Sequence, residues 1–116
     1  MMIHRIRRGD TLPTLRATLT GQDGAAINLE NSTVELHLAR AGRVVVREAV
    51  ILEAAKGIVH YEWSTADWEG EELSVGSWRL EWQVSLDTGD VITSPPTGHD
   101  VLEIGGEPQR VEHRGL

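Results

Sequence analysis

The sequence predicts an all-β protein, an antiparallel immunoglobulin-like β-sandwich of seven to eight strands. Three observations predict it. Along Ser77–Asp90, Trp78, Leu80, Trp82, Val84 and Leu86 alternate with Arg79, Glu81, Gln83 and Ser85, the period of two of a strand with one buried face. Clusters of Gly, Pro, Asn and Asp punctuate the chain about every ten residues, at the spacing of short strands. No stretch carries the apolar periodicity of an amphipathic helix, which excludes alternating βαβ units. A small closed barrel fits the same string of strands and stays open as an alternative.

Taken in order, Ile3 to Ile6 is a short strand, and Gly9-Asp10 with Pro13 breaks it and shifts the chain sideways. Leu15, Ala17 and Leu19 then alternate with Arg16, Thr18 and Thr20, and Gly21–Gly24 turns into the extended piece Ala26 to Leu29. From Thr33 a clear strand sets Val34, Leu36 and Leu38 against Glu35, His37 and Ala39. Ala41-Gly42-Arg43 turns the chain into Val44 to Glu48, and Ala49 to Glu53 continues apolar. Glu, Ala and Leu over Glu48–Lys56 favour a helix by propensity, but Val44, Val45, Val46, Val50 and Ile51 are β-branched and flanked by glycines, so strand is the better assignment.

Ile58 to Trp63 alternates Val59, Tyr61 and Trp63 with Ile58, His60 and Glu62. Ser64-Thr65-Ala66-Asp67 has the form of a helix cap opening a single turn through Trp68, ahead of an acidic loop from Glu69 to Gly76. Asp87-Thr88-Gly89-Asp90 closes the Ser77 strand into a hairpin with Val91-Ile92-Thr93. Pro95-Pro96 forces a loop, and Val101, Leu102 and Ile104 form a last strand. The expected organisation is one domain over residues 1–104 and an extended or mobile tail over 105–116.

Composition narrows the function classes. The chain has 116 residues, enough for one core and too few for two. A formal net charge of -7 argues against a nucleic-acid partner, because phosphate neutralisation needs clustered Lys and Arg. Only the ends are basic, through Arg5, Arg7, Arg8, Arg110 and Arg114. The sequence has neither a membrane span nor the apolar core of a signal peptide, so cytoplasmic synthesis without membrane insertion is expected. Zero cysteines exclude disulfides and thiolate metal sites.

Chemistry-bearing patterns are sparse. His37 with Glu35, and His60 with Glu62, are nitrogen and oxygen donors on outward faces, but they lack metal-ligand spacing, so a solvated sheet face is the better reading. No Ser or Thr sits in a nucleophile elbow, and no glycine run cradles a phosphate, so neither a cofactor nor an enzymatic role is expected. Asp67, Glu69, Glu71 and Glu72 match no calcium loop. Arg8-Gly9-Asp10 and Asn31-Ser32-Thr33 spell an integrin tripeptide and a glycosylation acceptor, both short enough for chance. Trp63, Trp78 and Trp82 share inward faces and read as core. Trp68, with Asp67 and Glu69 beside it, has two readings: a plug for the open end of the sandwich, or an exposed platform on which a sugar ring stacks.

Arg8-Gly9-Asp10-Thr11-Leu12-Pro13 followed by Leu15-Arg16-Ala17-Thr18-Leu19-Thr20 resembles the opening of the immunoglobulin-like N-terminal domain of phage tail baseplate upper proteins. The resemblance continues in order through Asp23-Gly24, Ser32 to Leu38, Ala54 to Trp63, Gly76 to Val84, Thr88-Gly89-Asp90 and the late Pro96, Gly98 and Ile104. Two departures stand out: Glu69 to Val75 is longer than the family's connection, and no aromatic residue stands near the last strand. The resemblance implies a non-enzymatic structural module in the virion tail of a phage or prophage. It would be a free-standing accessory that docks neighbouring tail or baseplate proteins, with homo-oligomers among its expected partners. A carbohydrate-binding sandwich using Trp68 is the alternative.

Overall fold

The structure, a computed structural model, describes residues 1–106. Nine strands lie among them: β1 (Ile3–Arg7), β2 (Leu15–Thr18), β3 (Thr33–Arg40), β4 (Arg43–Glu48), β5 (Val50–Glu53), β6 (Ile58–Tyr61), β7 (Gly76–Ser85), β8 (Val91–Ser94) and β9 (Asp100–Gly105). Two short 3₁₀ turns, Ala54–Lys56 and Thr65–Trp68, are the only helical pieces among the described residues. None is long and apolar enough to cross a membrane. The strands form two layers, β1-β9-β7-β3-β4 and β2-β6-β5, with β8 also paired to β7. The all-β sandwich expected from the alternation is what the chain forms.

β7 organises the larger sheet because it is the longest strand and is paired along both sides. Against β3 it holds seven registered pairs from Thr33↔Ser85 to Ala39↔Arg79. Its other side is shared: Trp82 to Ser85 pair with β8, and Gly76 to Leu80 pair with β9. β8 and β9 thus follow one another along a single edge, separated by the loop over 95–99 in which Pro95 removes a ladder donor. Trp78, Leu80, Trp82 and Val84 all turn inward and are fully buried.

One pair departs from an antiparallel sandwich. β1 runs parallel to β9, with Ile3↔Val101 through Arg7↔Gly105 in register. The cause lies in Gly9–Pro13, which carries the chain out of the larger sheet after β1 and delivers it to the edge of the smaller one as β2, antiparallel to β6. The chain changes layer again at Ala49, where a single residue separates β4 from β5. Propensity toward helix in Glu48–Lys56 survives only as the Ala54–Lys56 turn. Gly57 ends that turn at φ 69°, and a Cβ there would stand 2.8 Å from the Leu19 carbonyl and 2.9 Å from that of Ile27. Only glycine fits this crossing.

The core lies between the layers. Leu15, Leu19, Ile27, Leu29, Val59 and Trp63 from the smaller sheet and its loops meet Val34, Leu36, Leu38, Val45, Leu80, Trp82 and Leu102. Ser94 bridges the layers, its hydroxyl accepting from the Thr20 N–H and donating to the Thr20 carbonyl, each at 3.2 Å. β9 extends through Gly105, and the expected tail from Glu107 onward lies outside the described residues.

His4 shares the inward parity of Ile6 on β1, and its Nε2 is buried without a partner among the described residues. Burial pushes its pKa below the ordinary histidine value of 6.5, against the opposing pull of Asp100. The folded state therefore prefers neutral His4, so its contribution is full above about pH 6.5 and is lost as pH falls through the depressed folded value. Thermal unfolding followed from neutral to mildly acidic pH is expected to show a falling Tm in wild type. In His4→Leu that slope should be reduced, and an unchanged slope would place the acid sensitivity elsewhere.

Candidate functional site

The least regular part of the chain, between β6 and β7, is also its most densely bonded. Ser64 and Asp67 close the Thr65–Trp68 turn on each other: the Ser64 N–H donates to Asp67 Oδ2 at 2.9 Å, and the Asp67 N–H donates to the Ser64 carbonyl at 3.0 Å. A carboxylate three residues after the cap is suited to this, since it satisfies a donor that the turn leaves open. The cap form read from the sequence is present.

Asp67 is 5% exposed, which is unusual for a carboxylate without a cation beside it. The cation is Arg47, whose Nε donates to Asp67 Oδ1 at 2.9 Å while its Nη2 donates to Glu72 Oε1 at 2.7 Å. The Tyr61 hydroxyl lies 2.8 Å from both oxygens of Asp67. Burial acts to lower the Arg47 pKa, but hydrogen bonds and charge from Glu72 and Asp67 outweigh it and hold the guanidinium above its ordinary value. Burial, then the neighbouring Asp67 carboxylate, push the Tyr61 phenol up to about 12.

Tyr61 is the chain's single tyrosine, so phenolate absorbance reports it alone. Its raised folded pKa means that stability holds below about pH 10, then falls as the unfolded chain ionises first, and levels above about pH 12. A phenolate titration of native protein is expected to have its midpoint near 12, moving toward 10 in denaturant. A native midpoint near 10 would mean that the Tyr61–Asp67 bonds are absent.

Trp68 is buried at 6% exposure. Its ring stacks on Trp63 with centroids 5.2 Å apart, and Trp63 meets Tyr61 edge-on at 5.1 Å. Its Nε1 donates to the Asp10 carbonyl at 2.8 Å. The plug reading fits this position. A sugar platform requires an open ring face, and Trp63 on one side with the surrounding core leaves none. Of the three residues proposed from the sequence as ligand contacts, Trp68 and Asp67 are buried and bonded internally, and only Glu69 is exposed.

Three arginines tie down the following loop, two of them by its carbonyls. Arg8 reaches from the end of β1, its Nη2 donating to the carbonyls of Trp68 (2.6 Å) and Gly70 and its Nε to that of Leu73 at 3.3 Å. Arg43 Nη1 donates to the Glu71 carbonyl at 2.8 Å and to that of Glu72 at 3.3 Å. Arg47 completes the set through side chains. Backbone groups that no strand satisfies are thus paired by cations, and the exposed Glu69 and Glu71 are left outside the network. Arg8→Ala is expected to destabilise the fold by about 2 kcal/mol and to open the loop first. Limited proteolysis reads this, and cleavage between Glu69 and Val75 no faster than in wild type would contradict it.

Sequence reasoning missed these arginines. One signal was available for Arg47, which shares the parity of buried Val45 on β4, and an inward charge calls for a buried partner. Nothing local marked Arg8; Arg43 has the same parity, but at the first position of β4, beside the turn, that parity does not imply burial. The histidine pairs stay apart: His37 bonds Glu35 at 3.1 Å on the outer face of one sheet, and His60 lies 3.9 Å from Glu62 on the outer face of the other. No group of three metal-ligating side chains gathers among the described residues.

No protein-family model matches the sequence, and no curated protein sequence does. Solved structures do share the fold. The N-terminal domain of phage TP901-1 ORF48 is similar at a TM-score of 0.58 and 17% identity, over 91% of this chain and 85% of that one. CopC from Methylosinus trichosporium OB3b is similar at a TM-score of 0.51 and 14% identity, over 95% of this chain and 90% of that one. Identities this low establish a common fold across nearly the whole of each chain. They leave the role to be argued from particular residues.

Proposed function

We propose that the chain is a structural module of a phage or prophage tail that docks neighbouring baseplate or tail proteins and performs no chemistry. A phage domain and CopC share the fold, so the fold by itself does not choose a role. What carries the reading is the Arg8-Gly9-Asp10-Thr11-Leu12-Pro13 segment, which resembles the opening of baseplate upper-protein domains. The likeness to the N-terminal domain of phage TP901-1 ORF48 over 91% of the chain supports the same assignment.

The segment has a physical job consistent with that role. Arg8 and the Asp10 carbonyl clamp the Trp68 loop, so the opening and the acidic loop form one rigid end of the sandwich. Leu12, at 70% exposure, and the exposed Glu69 and Glu71 stand out from it. A rigid end with an apolar tip and acidic surroundings suits contact with a basic, partly apolar partner surface. The segment from Gly105 onward, whose first residue closes β9, is part of the proposal as a contact to neighbouring subunits. The buried Trp68 gives no support to a glycan-binding role, and that second reading is not proposed.

Proteomic analysis of purified tails from the particles that encode this chain tests the assignment. Recovery of the chain in fixed proportion to other tail proteins is the expected result. Its absence from assembled tails, with the chain abundant in the lysate, would overturn it.

A further inference from the structure

The outer face of the larger sheet carries two adjacent rows that lack a partner. Cross-strand register sets Val44, Ala39, Arg79, Val101 and Ile3 side by side across β4, β3, β7, β9 and β1. The next row holds Val46, His37 and Glu81. All of these have outward parity, opposite to Val45, Leu38, Leu80 and Leu102. Val44 is 61% exposed, and Val46 and Ile3 are each 42% exposed. Val44, Val46 and Ala39 on one side and Val101 and Ile3 on the other thus form two apolar patches flanking the central strand, more than the scattered exposure of an ordinary surface.

Arg79 and Glu81 are the only charged side chains at the centre of the two rows. Neither makes a salt bridge or a side-chain hydrogen bond among the described residues, although other cations and carboxylates of the chain pair with one another. They sit two residues apart on the same face of the central strand, roughly 7 Å from each other along it. This arrangement is complementary to itself. A two-fold axis lying in the contact plane, across the strands and over Leu80, exchanges the two rows.

We infer that this face binds a second copy of the chain, with Arg79 of each protomer opposite Glu81 of its partner. The same operation sets Val44 over Val46 and Ala39 over His37, so the apolar β4 edges meet and the smallest side chain lies near the centre. The rows beyond bring Ser77 over Gln83, and no like charges are opposed there. Sheets in face-to-face contact pack about 10 Å apart with strands within about 30° of alignment, which the natural twist of this sheet allows. Such an interface is isologous, each contact occurring twice, so two ion pairs form from one pair of residues. The inference stands on the sheet's own register and does not depend on the tail assignment.

Charge reversal with rescue decides it. Sedimentation equilibrium of the purified wild-type chain is expected to show a reversible monomer–dimer equilibrium. R79E and E81R each place like charges opposite one another twice, and each is expected to weaken dimerisation about tenfold or more. The combined R79E/E81R variant restores the pairing with its direction inverted and is expected to recover most of the wild-type affinity. Circular dichroism and thermal unfolding identify any variant that fails to fold, and Val44→Asn provides an independent disruption on the apolar edge. A wild type that stays monomeric up to its solubility limit overturns the proposal. So does a combined variant that folds but remains as weak as the singles, or an oligomer indifferent to the three disrupting variants.

Discussion

Replacing Trp78 or Trp82 with alanine is expected to cost about 3–5 kcal/mol each, a large fraction of the stability of a domain this size. Both indoles are 1% exposed on the central strand, where they fill the space between the layers. Truncation removes one of the largest transfer contributions and leaves a cavity that two sheets fixed by their ladders close only in part. The two positions separate under a milder change. Trp78 Nε1 donates to the Ser74 carbonyl at 2.9 Å, whereas Trp82 Nε1 is buried without a partner among the described residues. Trp78→Phe thus gives up a hydrogen bond, and Trp82→Phe relieves an unsatisfied donor. Phe should therefore cost about 1 kcal/mol more at 78 than at 82. Urea unfolding midpoints at constant m-value measure the difference, and equal costs would mean that the two indole nitrogens are equally satisfied.

How far such positions are readable from sequence depends on whether their partner is fixed by local pattern. The inward face of β7 was legible because alternation alone sets it, and the same holds for Val34, Leu36 and Leu38 on β3. The Asp87–Asp90 hairpin and the Ser64–Asp67 cap were legible because turn chemistry is local. The parallel pairing of β1 with β9 was not, since it joins residues nearly a hundred positions apart and depends on where Gly9–Pro13 delivers the chain. Arg8 and Arg43 were opaque for a related reason. Their acceptors are main-chain carbonyls of a loop, and a carbonyl carries no side-chain signature that a pattern can match. Trp68 shows the boundary between the two cases. Its neighbours Asp67 and Glu69 advertise solvent, yet Asp67 is itself buried by an arginine twenty residues away, and the tryptophan follows it inward.

That arginine makes Asp67 the second position of large effect. Asp67→Ala is expected to destabilise the protein by about 3–5 kcal/mol, because breaking a buried pair from one side strands its other members. Arg47 would keep only Glu72 and the Val46 carbonyl, while the Tyr61 hydroxyl and the Ser64 N–H would both lose their acceptor. Arg47→Met is expected to cost less. It leaves Asp67 with two donors, and its aliphatic chain retains the packing of the arginine stem. A double-mutant cycle over Asp67→Ala and Arg47→Met, read by chemical unfolding, should give a coupling of about 1–3 kcal/mol, as residues in one hydrogen-bond network do not add. Additive costs would mean that the two side chains act separately and that the loop is held by Arg8 and Arg43 alone. A full coupling would place Arg47 and Asp67 as one unit that fixes the Trp68 turn, and through the Trp68 Nε1 bond to Asp10 fixes the opening segment on which the tail assignment rests.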